Sequence, residues 1–444
     1  MQYAKNLDEI LNAFEPEPLA ESDLEKYYYD GTMESRTGDK HGLPLEDLFR
    51  ACCDRPTSSG NAHLLLGHKG CGKSTELNRM RKQFEDAGYP VRIVRCVIEL
   101  DIGDLTYWDI MVMITAELCQ IANDKNCHLG DLPKQMANFF TEEEIREERS
   151  MRGDLEASAG AGLNFLLSLV VGMKARMKAS HTYRADIRKR VEKRASQWID
   201  YINELNTTLV ECLGDKRPIL IFEDLDKITE PNNVWEVFNY GPLAAMPFPV
   251  IYTFPINLFY DSRFQDFAGR FEHVVLPLIK IRLQNGDANS DGYEAIKKIL
   301  GKRADTETLF APDALETLIT KTGGSLRELF SRITQCANRA RRRCKAEKVA
   351  ARIELEDVEV ALDALQSDLS RRIERKHYAM LAKLHSDPKE ASAIEDKVML
   401  LELMRSQAVL EYNKKRWCAV HPLIVDFLKD VGVIDADAML ASDV

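Results

Sequence analysis

The sequence predicts an α/β fold in which a parallel sheet forms the middle of a three-layer core. Three observations predict it. The apolar run His63–Leu66 leads into a glycine-rich loop and then into an amphipathic helix. A second apolar run, Ile219–Phe222, ends in adjacent acids, as a buried strand does at its carboxyl edge. Beyond the polar turn at Asp287 the apolar periodicity becomes helical, which predicts helical domains after the sheet.

The composition is that of a globular protein with a large core. The chain has 444 residues, of which 45% are hydrophobic and 30% charged, so two or three domains are expected. Its 60 Lys and Arg against 71 Asp and Glu give a net charge of −11. This net negative charge argues against nucleic-acid binding over the whole surface, although it does not exclude a local basic patch.

Cysteine use and the N-terminal sequence predict the compartment. The ten cysteines are scattered, and neither a CxxC pair nor a His/Cys cluster has the spacing of zinc ligands. The first ten residues carry acids and lack the basic-then-apolar order of a secretory signal. We therefore expect a cytoplasmic protein in a reducing environment.

The glycine-rich loop is the most specific motif in the chain. Gly67–Ser74 matches GxxxxGK followed by Ser or Thr at every fixed position. In such a loop the glycines let backbone N–H groups turn toward phosphate oxygens, and the following helix adds a favourable partial charge. Lys73 would neutralise the β- and γ-phosphates, and Ser74 would bind Mg²⁺ through its hydroxyl. ATP and Mg²⁺ are thus the expected ligands, and the predicted binding residues are Gly67, His68, Lys69, Gly70, Cys71, Gly72, Lys73, Ser74 and Thr75.

The acids that follow the Ile219–Phe222 strand are candidates for the metal ligand that a phosphate-binding site needs. Glu223 and Asp224 directly follow Ile219–Phe222, and one acid would hold Mg²⁺ while the next would polarise the attacking water. If Glu223 takes the metal role, Asp224 is the catalytic base. If Asp224 takes the metal role, the next residue is Leu225 and hydrolysis would be slow. An ordinary strand end with solvated acids is the alternative.

Together these elements resemble the AAA+ superfamily, and within it the origin-recognition-like and signalling-type ATPases of bacteria and archaea. The glycine-rich loop, the Ile219–Asp226 segment and two later elements carry the resemblance. Val250–Pro255 is similar to the strand in which the family places a sensor of the γ-phosphate, and Thr253 stands at that place. A core strand with a turn at Pro255 is the alternative, since β-branched residues suit strands anyway.

The second later element is Thr322–Leu329, which resembles the sensor in the family's helical lid. Two glycines break the preceding helix, Ser325 is a natural N-cap for the next one, and Glu328 completes a capping box. Arg327 then lies in the first helical turn, where a cation is unfavourable unless a negative group such as a γ-phosphate comes near. A surface arginine is the alternative.

The resemblance implies two further arginine roles. ATPases of this superfamily usually complete their site with an arginine from a neighbouring subunit, and Arg270 fits the place for it better than Arg263 does. Such a role implies a homo-oligomer with composite sites, whereas plain surface charges are the alternative. In related ATPases the N-terminal region packs near the adenine, so Arg36 is a weak binding candidate. We favour a solvated loop arginine at that position.

The remaining periodicity divides the first part of the chain. Residues 1–60 form an N-terminal helical region, and 61–285 form the core, with a second strand at Val91–Glu99 and a helix at Asp101–Ala122. A helical insertion at about 125–210 contains the charged helices Glu142–Arg149 and Tyr183–Leu213 around the apolar stretch Ala157–Met173. That stretch falls short of the usual length of a membrane span. We expect a buried or oligomer-packed helix and no stable membrane span, with a membrane-active segment as the alternative.

The second part is predicted as a helical lid at 286–366 and a winged-helix-like domain at 367–444. One lid helix opens at Pro312, and the next ends in a basic cluster, for which we favour a solvated face over a nucleic-acid site. Helices at Leu369–Leu384 and Ala391–Ser406 precede two β-type runs that predict a hairpin. His421 is expected at a packed corner. The basic cluster consists of Arg339, Arg341, Arg342, Arg343 and Lys345.

The resemblance therefore implies an ATPase whose nucleotide state controls oligomeric assembly or a protein effector, with a role in phage defence as the least supported step. A DNA-binding initiator or loader that uses the winged helix is one alternative. A nucleotide-locked structural scaffold with negligible turnover is another.

Overall fold

The structure, a computed structural model, describes residues 1–38, 44–54, 61–144, 162–238, 241–347, 351–389, 393–412 and 417–435. Several sequence predictions fall partly or wholly outside these ranges. They include the 145–149 part of the charged helix, the 157–161 part of the apolar stretch, the 391–392 part of the Ala391–Ser406 helix, the 413–416 turn of the hairpin, and the 436–444 end of the C-terminal domain.

The predicted parallel sheet is confirmed. Its strands are β1 Ala62–Gly67, β2 Val91–Arg95, β3 Ile219–Glu223, β4 Val250–Pro255 and β5 Glu272–Val275. All neighbours are parallel, and the order across the sheet is β2-β3-β4-β1-β5. Every residue of β1, β3 and β4 is buried, which explains why these strands read as continuous apolar runs. Because the three are adjacent and parallel, the glycine-rich loop, the acids and the end of β4 meet at one sheet edge.

Helices cover the sheet and extend the chain on both sides of it. Before β1 they are α1 Leu7–Ala13, α2 Glu21–Tyr27, α3 Thr32–Thr37 and α4 Pro44–Asp54. Between β1 and β3 they are α5 Lys73–Asp86, α6 Cys96–Glu99, α7 Tyr107–Asp124, α8 Leu132–Glu144, α9 Gly162–Ala179, α10 His181–Glu192 and α11 Ala195–Cys212. Two further helices, α12 Pro231–Phe238 and α13 Phe264–Ala268, flank β4.

Two predicted element boundaries in the core are wrong, and the C-terminal helices predicted to begin at Leu369 and Ala391 begin instead at Arg375 and Lys397. Strand β2 ends at Arg95, and the chain then forms the short helix α6, because β3 offers no pairing residue beyond Glu223 opposite Arg95. The following helix begins at Tyr107 rather than at Asp101, because Thr106 and Asp109 form a capping box there.

The insertion packs as helices against the core. Helix α9 buries Leu166, Val170, Met173 and Met177, which follow one another at three- and four-residue intervals along one face, and it packs against α7 and α8. The predicted 183–213 helix is two helices, α10 and α11. Among the described residues, no helix is long and apolar enough to cross a membrane.

A disulfide closes the insertion. Cys127, just after α7, is bonded to Cys212 at the end of α11, across 85 residues of sequence. Cys127 is buried and Cys212 is exposed. The spacing of the cysteines in the sequence did not indicate this pair.

The chain after β5 is helical except for one hairpin. The helices are α14 Ser290–Gly301, α15 Thr306–Leu309, α16 Pro312–Lys321, α17 Leu326–Glu347, α18 Leu355–Ser370, α19 Arg375–Ser386, α20 Lys397–Arg405 and α21 Pro422–Asp430. The hairpin strands, β6 Val409–Glu411 and β7 Cys418–Val420, pair antiparallel. His421 is fully buried, caps α21 by accepting from Leu423 N–H, and so forms the packed corner that was expected.

Candidate nucleotide site

The glycine-rich loop joins β1 to α5 in the strand-loop-helix context that its motif requires. Gly70 and Gly72 have φ of 85° and 103°, a region that favours glycine. A Cβ on Gly70 would lie 2.8 Å from Arg327 Cβ, and one on Gly67 would lie 2.7 Å from Leu276 O. Glycine is therefore required at these places by backbone conformation and by close packing.

Lys73 is held by the loop and by an acid. Its Nζ donates to Gly67 O at 2.7 Å and to His68 O at 3.1 Å, and it lies 2.9 Å from Asp226 Oδ2. Burial alone would lower the pKa of Lys73, but the Asp226 carboxylate outweighs it and the pKa is raised. The same pairing outweighs the effect of burial on Asp226 and lowers the pKa of that carboxyl. Both groups are therefore charged, and a bound phosphate would compete with Asp226 for Lys73.

Ser74 and Glu223 fit a magnesium site. Burial raises the pKa of the Glu223 carboxyl, and the Ser74 hydroxyl beside it offsets this rise in part. Glu223 Oε2 is buried and has no hydrogen-bond partner among the described residues, and Arg95 Nε is 3.8 Å away. A hydroxyl next to a buried carboxylate suits Mg²⁺, which proteins usually hold through one or two oxygen ligands together with phosphates and water.

Asp224 and Thr253 complete the acidic turn. Asp224 is buried and has φ of 75°, a conformation that Asp tolerates better than most residues, and its Oδ1 lies 2.5 Å from Lys227 Nζ. Thr253 Oγ1 accepts from Leu225 N–H at 3.0 Å. The Thr253 hydroxyl donates to Phe222 O at 3.5 Å and, after the larger effect of Lys73, helps to lower the pKa of Asp226. Thr253 on β4 therefore lies beside the Lys73–Asp226 pair.

One cavity contains these groups and extends away from them into an apolar end. Its empty volume, which includes open solvent at the mouth, is about 960 Å³. The polar end is lined by Gly70, Lys73, Ser74, Glu223, Asp224 and Asp226. The other end is lined by Leu19, Tyr27, Ile299, Arg303, Leu326 and Phe330. A charged end joined to an apolar end matches the chemistry of a nucleotide.

The N-terminal segment forms one wall of this cavity. Thr75 Oγ1 accepts from Leu19 N–H at 3.2 Å, and Asn78 Nδ2 donates to Leu19 O at 2.8 Å. Tyr28 OH donates to the buried Glu76 carboxylate at 2.9 Å. Thr75, which was predicted to bind the nucleotide, therefore also holds this wall in place.

Arg36 is not the solvated loop arginine that the sequence favoured. It is 1% exposed, and its guanidinium donates to Cys71 O at 2.6 Å and to Pro277 O. The sequence missed this position because both acceptors are backbone carbonyls of distant segments. Arg36 braces the glycine-rich loop and also lines the cavity.

The candidate arginines differ in their surroundings. Arg327 is exposed in the first turn of α17, lines the polar end of the cavity, and its backbone N–H donates to Gly70 O at 3.3 Å. The expected capping box is incomplete, because Glu328 Oε2 lies 3.2 Å from His421 Nε2 and Ser325 N–H donates to Thr322 O. Arg270 is exposed before β5. Arg263 forms an ion pair with Asp261 at 2.8 Å, donates a hydrogen bond to Asn232 Oδ1 and stacks on the Trp235 ring.

His68 faces the C-terminal hairpin rather than the cavity. Its Nε2 accepts from Glu411 N–H of β6 at 2.8 Å, and the next loop residue, Lys69, accepts through its carbonyl from Gln407 Nε2 at 3.0 Å. Tyr412 OH donates to Gly323 O, just before α17, at 2.8 Å. The hairpin region therefore contacts both the glycine-rich loop and the element that carries Arg327.

The basic cluster at the end of α17 is largely paired. Arg341 lies 2.6 Å from Asp8, and Arg343 lies 2.7 Å from Asp357. Arg339 lies 3.5 Å from the same buried Asp357. These ion pairs join α17 to α18 and to the N-terminal segment, which agrees with a structural role for the cluster.

The fold and this site have the arrangement of a P-loop core, which the sequence resemblance to the AAA+ superfamily implied: a five-stranded parallel sheet with the glycine-rich loop after β1, acids after β3 and a polar residue in β4. No protein-family profile and no curated protein sequence matches the chain. Among solved structures, it is similar to Cdc6p from Pyrobaculum aerophilum, at 13% identity and a TM-score of 0.40, over 95% of this chain and 96% of that one. It is also similar to a RuvB mutant from Thermotoga maritima, at 12% identity and a TM-score of 0.37, over 93% and 98% of the two chains. The assignment of the fold rests on the topology of the chain itself.

Proposed function

We propose that the protein binds ATP with Mg²⁺ and hydrolyses it. The observation that carries this proposal is the single cavity in which Lys73, Ser74 and Glu223 lie at one end and apolar side chains at the other. The loop glycines expose backbone N–H groups and Lys73 adds a full charge, so the polar end suits a triphosphate.

The residues have distinct proposed roles. Ser74 and Glu223 hold the metal ion, because both line the polar end of the cavity and the buried Glu223 Oε2 has no hydrogen-bond partner among the described residues. Asp224, the next residue, is then placed as the general base that orients the attacking water, while Thr253 and Arg327 sense the γ-phosphate. Mg²⁺ would supply charge neutralisation on the phosphates. Arg270 is proposed to act in the site of a neighbouring copy, since it is exposed and stands at the place that the sequence resemblance gives to such an arginine.

We further propose that the nucleotide state is transmitted to the C-terminal hairpin. His68 and Lys69 of the loop bond directly to the Gln407–Glu411 segment, so a loop that rearranges around phosphate also shifts this segment. The output would be self-assembly or a partner effector. A role in phage defence is supported by the sequence resemblance alone.

The central test is loss of the loop lysine. Lys73→Ala is expected to abolish ATP binding, because it removes the charge that faces the phosphates. Lys82→Ala, on the exposed face of the same helix, is the matched control and is expected to behave as wild type. Equal ATPase activity in purified Lys73→Ala and wild-type protein would refute the proposal.

Assembly is tested by measuring the particle mass with ADP, with a non-hydrolysable ATP analogue and without nucleotide. A mass that increases only with the analogue supports control of assembly. The same mass in all three states would restrict the output to a partner effector.

A further inference from the structure

A buried arginine stands at the apolar end of the nucleotide cavity. Arg303 follows α14 and is 4% exposed. Its guanidinium lies 4.3 Å from the centre of the Phe330 ring, and NH1 donates to Ala13 O at 3.1 Å. Its Nε is buried and has no hydrogen-bond partner among the described residues. The side chain lines the cavity and retains an unused donor.

The charge of Arg303 is poorly compensated. Burial lowers its pKa to about 10, and the more distant Asp23 and Tyr27 offset this only in part. No ion pair of 4.0 Å or less joins it to a carboxylate in the part of the chain that the structure describes. A buried cation that faces only a carbonyl oxygen and an aromatic ring is costly, and a ligand in the cavity would supply the further contact that lowers this cost.

The position of Arg303 restricts that ligand. Triphosphate oxygens at the loop would direct the base of a nucleotide toward Tyr27, Ile299 and Phe330, which line the end of the cavity where Arg303 lies. Arginine has only donors, and the purine ring nitrogens are acceptors. We propose that Arg303 is a specificity-determining residue that donates a hydrogen bond to a ring nitrogen of a purine nucleotide. This inference rests on the proposed nucleotide-binding function.

A purely structural role would have a different signature. The NH1 bond to Ala13 O and the contact with Phe330 tie the N-terminal segment to the lid, so removing Arg303 also weakens that junction. Such a loss would affect all nucleotides alike. Discrimination between ATP and analogues that lack one ring nitrogen depends on the donor itself.

The experiment measures equilibrium binding by calorimetry for wild type, Arg303→Met and Arg303→Lys. The ligands are ATP, its 1-deaza, 3-deaza and 7-deaza analogues, and tripolyphosphate, which has no base. In wild type, one deaza analogue is expected to bind about 10- to 100-fold more weakly than ATP, the range for a hydrogen bond from a charged donor. Arg303→Met is expected to lose affinity for ATP by a similar factor, to bind that analogue and ATP equally, and to bind tripolyphosphate as wild type does.

Two results would overturn the inference. The first is that wild type binds every deaza analogue as tightly as ATP. The second is that Arg303→Met discriminates between ATP and the deaza analogues as wild type does. The first comparison uses only the native chain, so equal binding of ATP and all deaza analogues would refute the inference even if the variants do not fold. Failure of wild type to bind either ATP or tripolyphosphate would instead refute the proposed nucleotide-binding function, and the inference with it.

Discussion

His68 provides the most direct test of the contact between the glycine-rich loop and the C-terminal hairpin. Its ring is 2% exposed, and Nε2 accepts from Glu411 N–H at 2.8 Å. Burial, and next the charge of Lys73, lower its pKa to about 3. The folded protein therefore holds His68 neutral at pH values at which the unfolded chain protonates it.

The sign and size of the effect follow from proton linkage. Below the ordinary histidine pKa of about 6.5, the unfolded state binds a proton that the native state does not, so lowering the pH favours unfolding. The loss is about 1.4 kcal/mol for each pH unit between about 6.5 and about 3. At pH 5.0 the contribution of His68 is therefore a destabilisation of about 2 kcal/mol, an order-of-magnitude figure.

The perturbation is His68→Gln, which keeps an acceptor near Glu411 N–H but does not titrate. Urea unfolding at pH 7.5 and 5.0 gives the change in unfolding free energy for each protein. Wild type is expected to lose about 2 kcal/mol more than His68→Gln over this interval. His128→Gln, at an exposed position, is the matched control and is expected to follow wild type. Equal losses in wild type and His68→Gln would refute the buried, neutral assignment.

Two more predictions concern the ion pair and the disulfide. Asp226→Asn leaves Lys73 buried beside a neutral group, so the unfolding free energy without nucleotide should fall by about 3–5 kcal/mol. Saturating ATP should reduce this deficit, because phosphate replaces the lost charge, and a deficit that ATP does not change would contradict the competition between Asp226 and phosphate. Cys212→Ser opens a loop of 85 residues, for which the chain-entropy model gives about 4–5 kcal/mol. Thermal unfolding should therefore occur at a lower temperature in this variant than in oxidised wild type, and added reductant should affect wild type alone. A midpoint unchanged by Cys212→Ser would show that the bond does not stabilise the native state.

The elements that carry the site could be predicted from the sequence because their signals are local. The Gly67–Ser74 motif lies between an apolar run and a helical period, and the apolar runs before Glu223 and around Thr253 each contain enough consecutive residues to identify a buried strand. The boundaries of β2 and α7 were wrong because they depend on where a neighbouring strand stops and on a capping box.

The sequence by itself determined the buried strands β1, β3 and β4, the glycine-rich loop and the two acids after β3, since each follows from residues within a few positions of one another. Only the tertiary structure decided which groups meet. It pairs Lys73 with Asp226, buries Arg36 against the loop, joins Cys127 to Cys212, and brings Glu411 to His68 across 343 residues. Hydrophobic periodicity specifies which face of an element is buried, but it carries no information about the distant segment that covers that face.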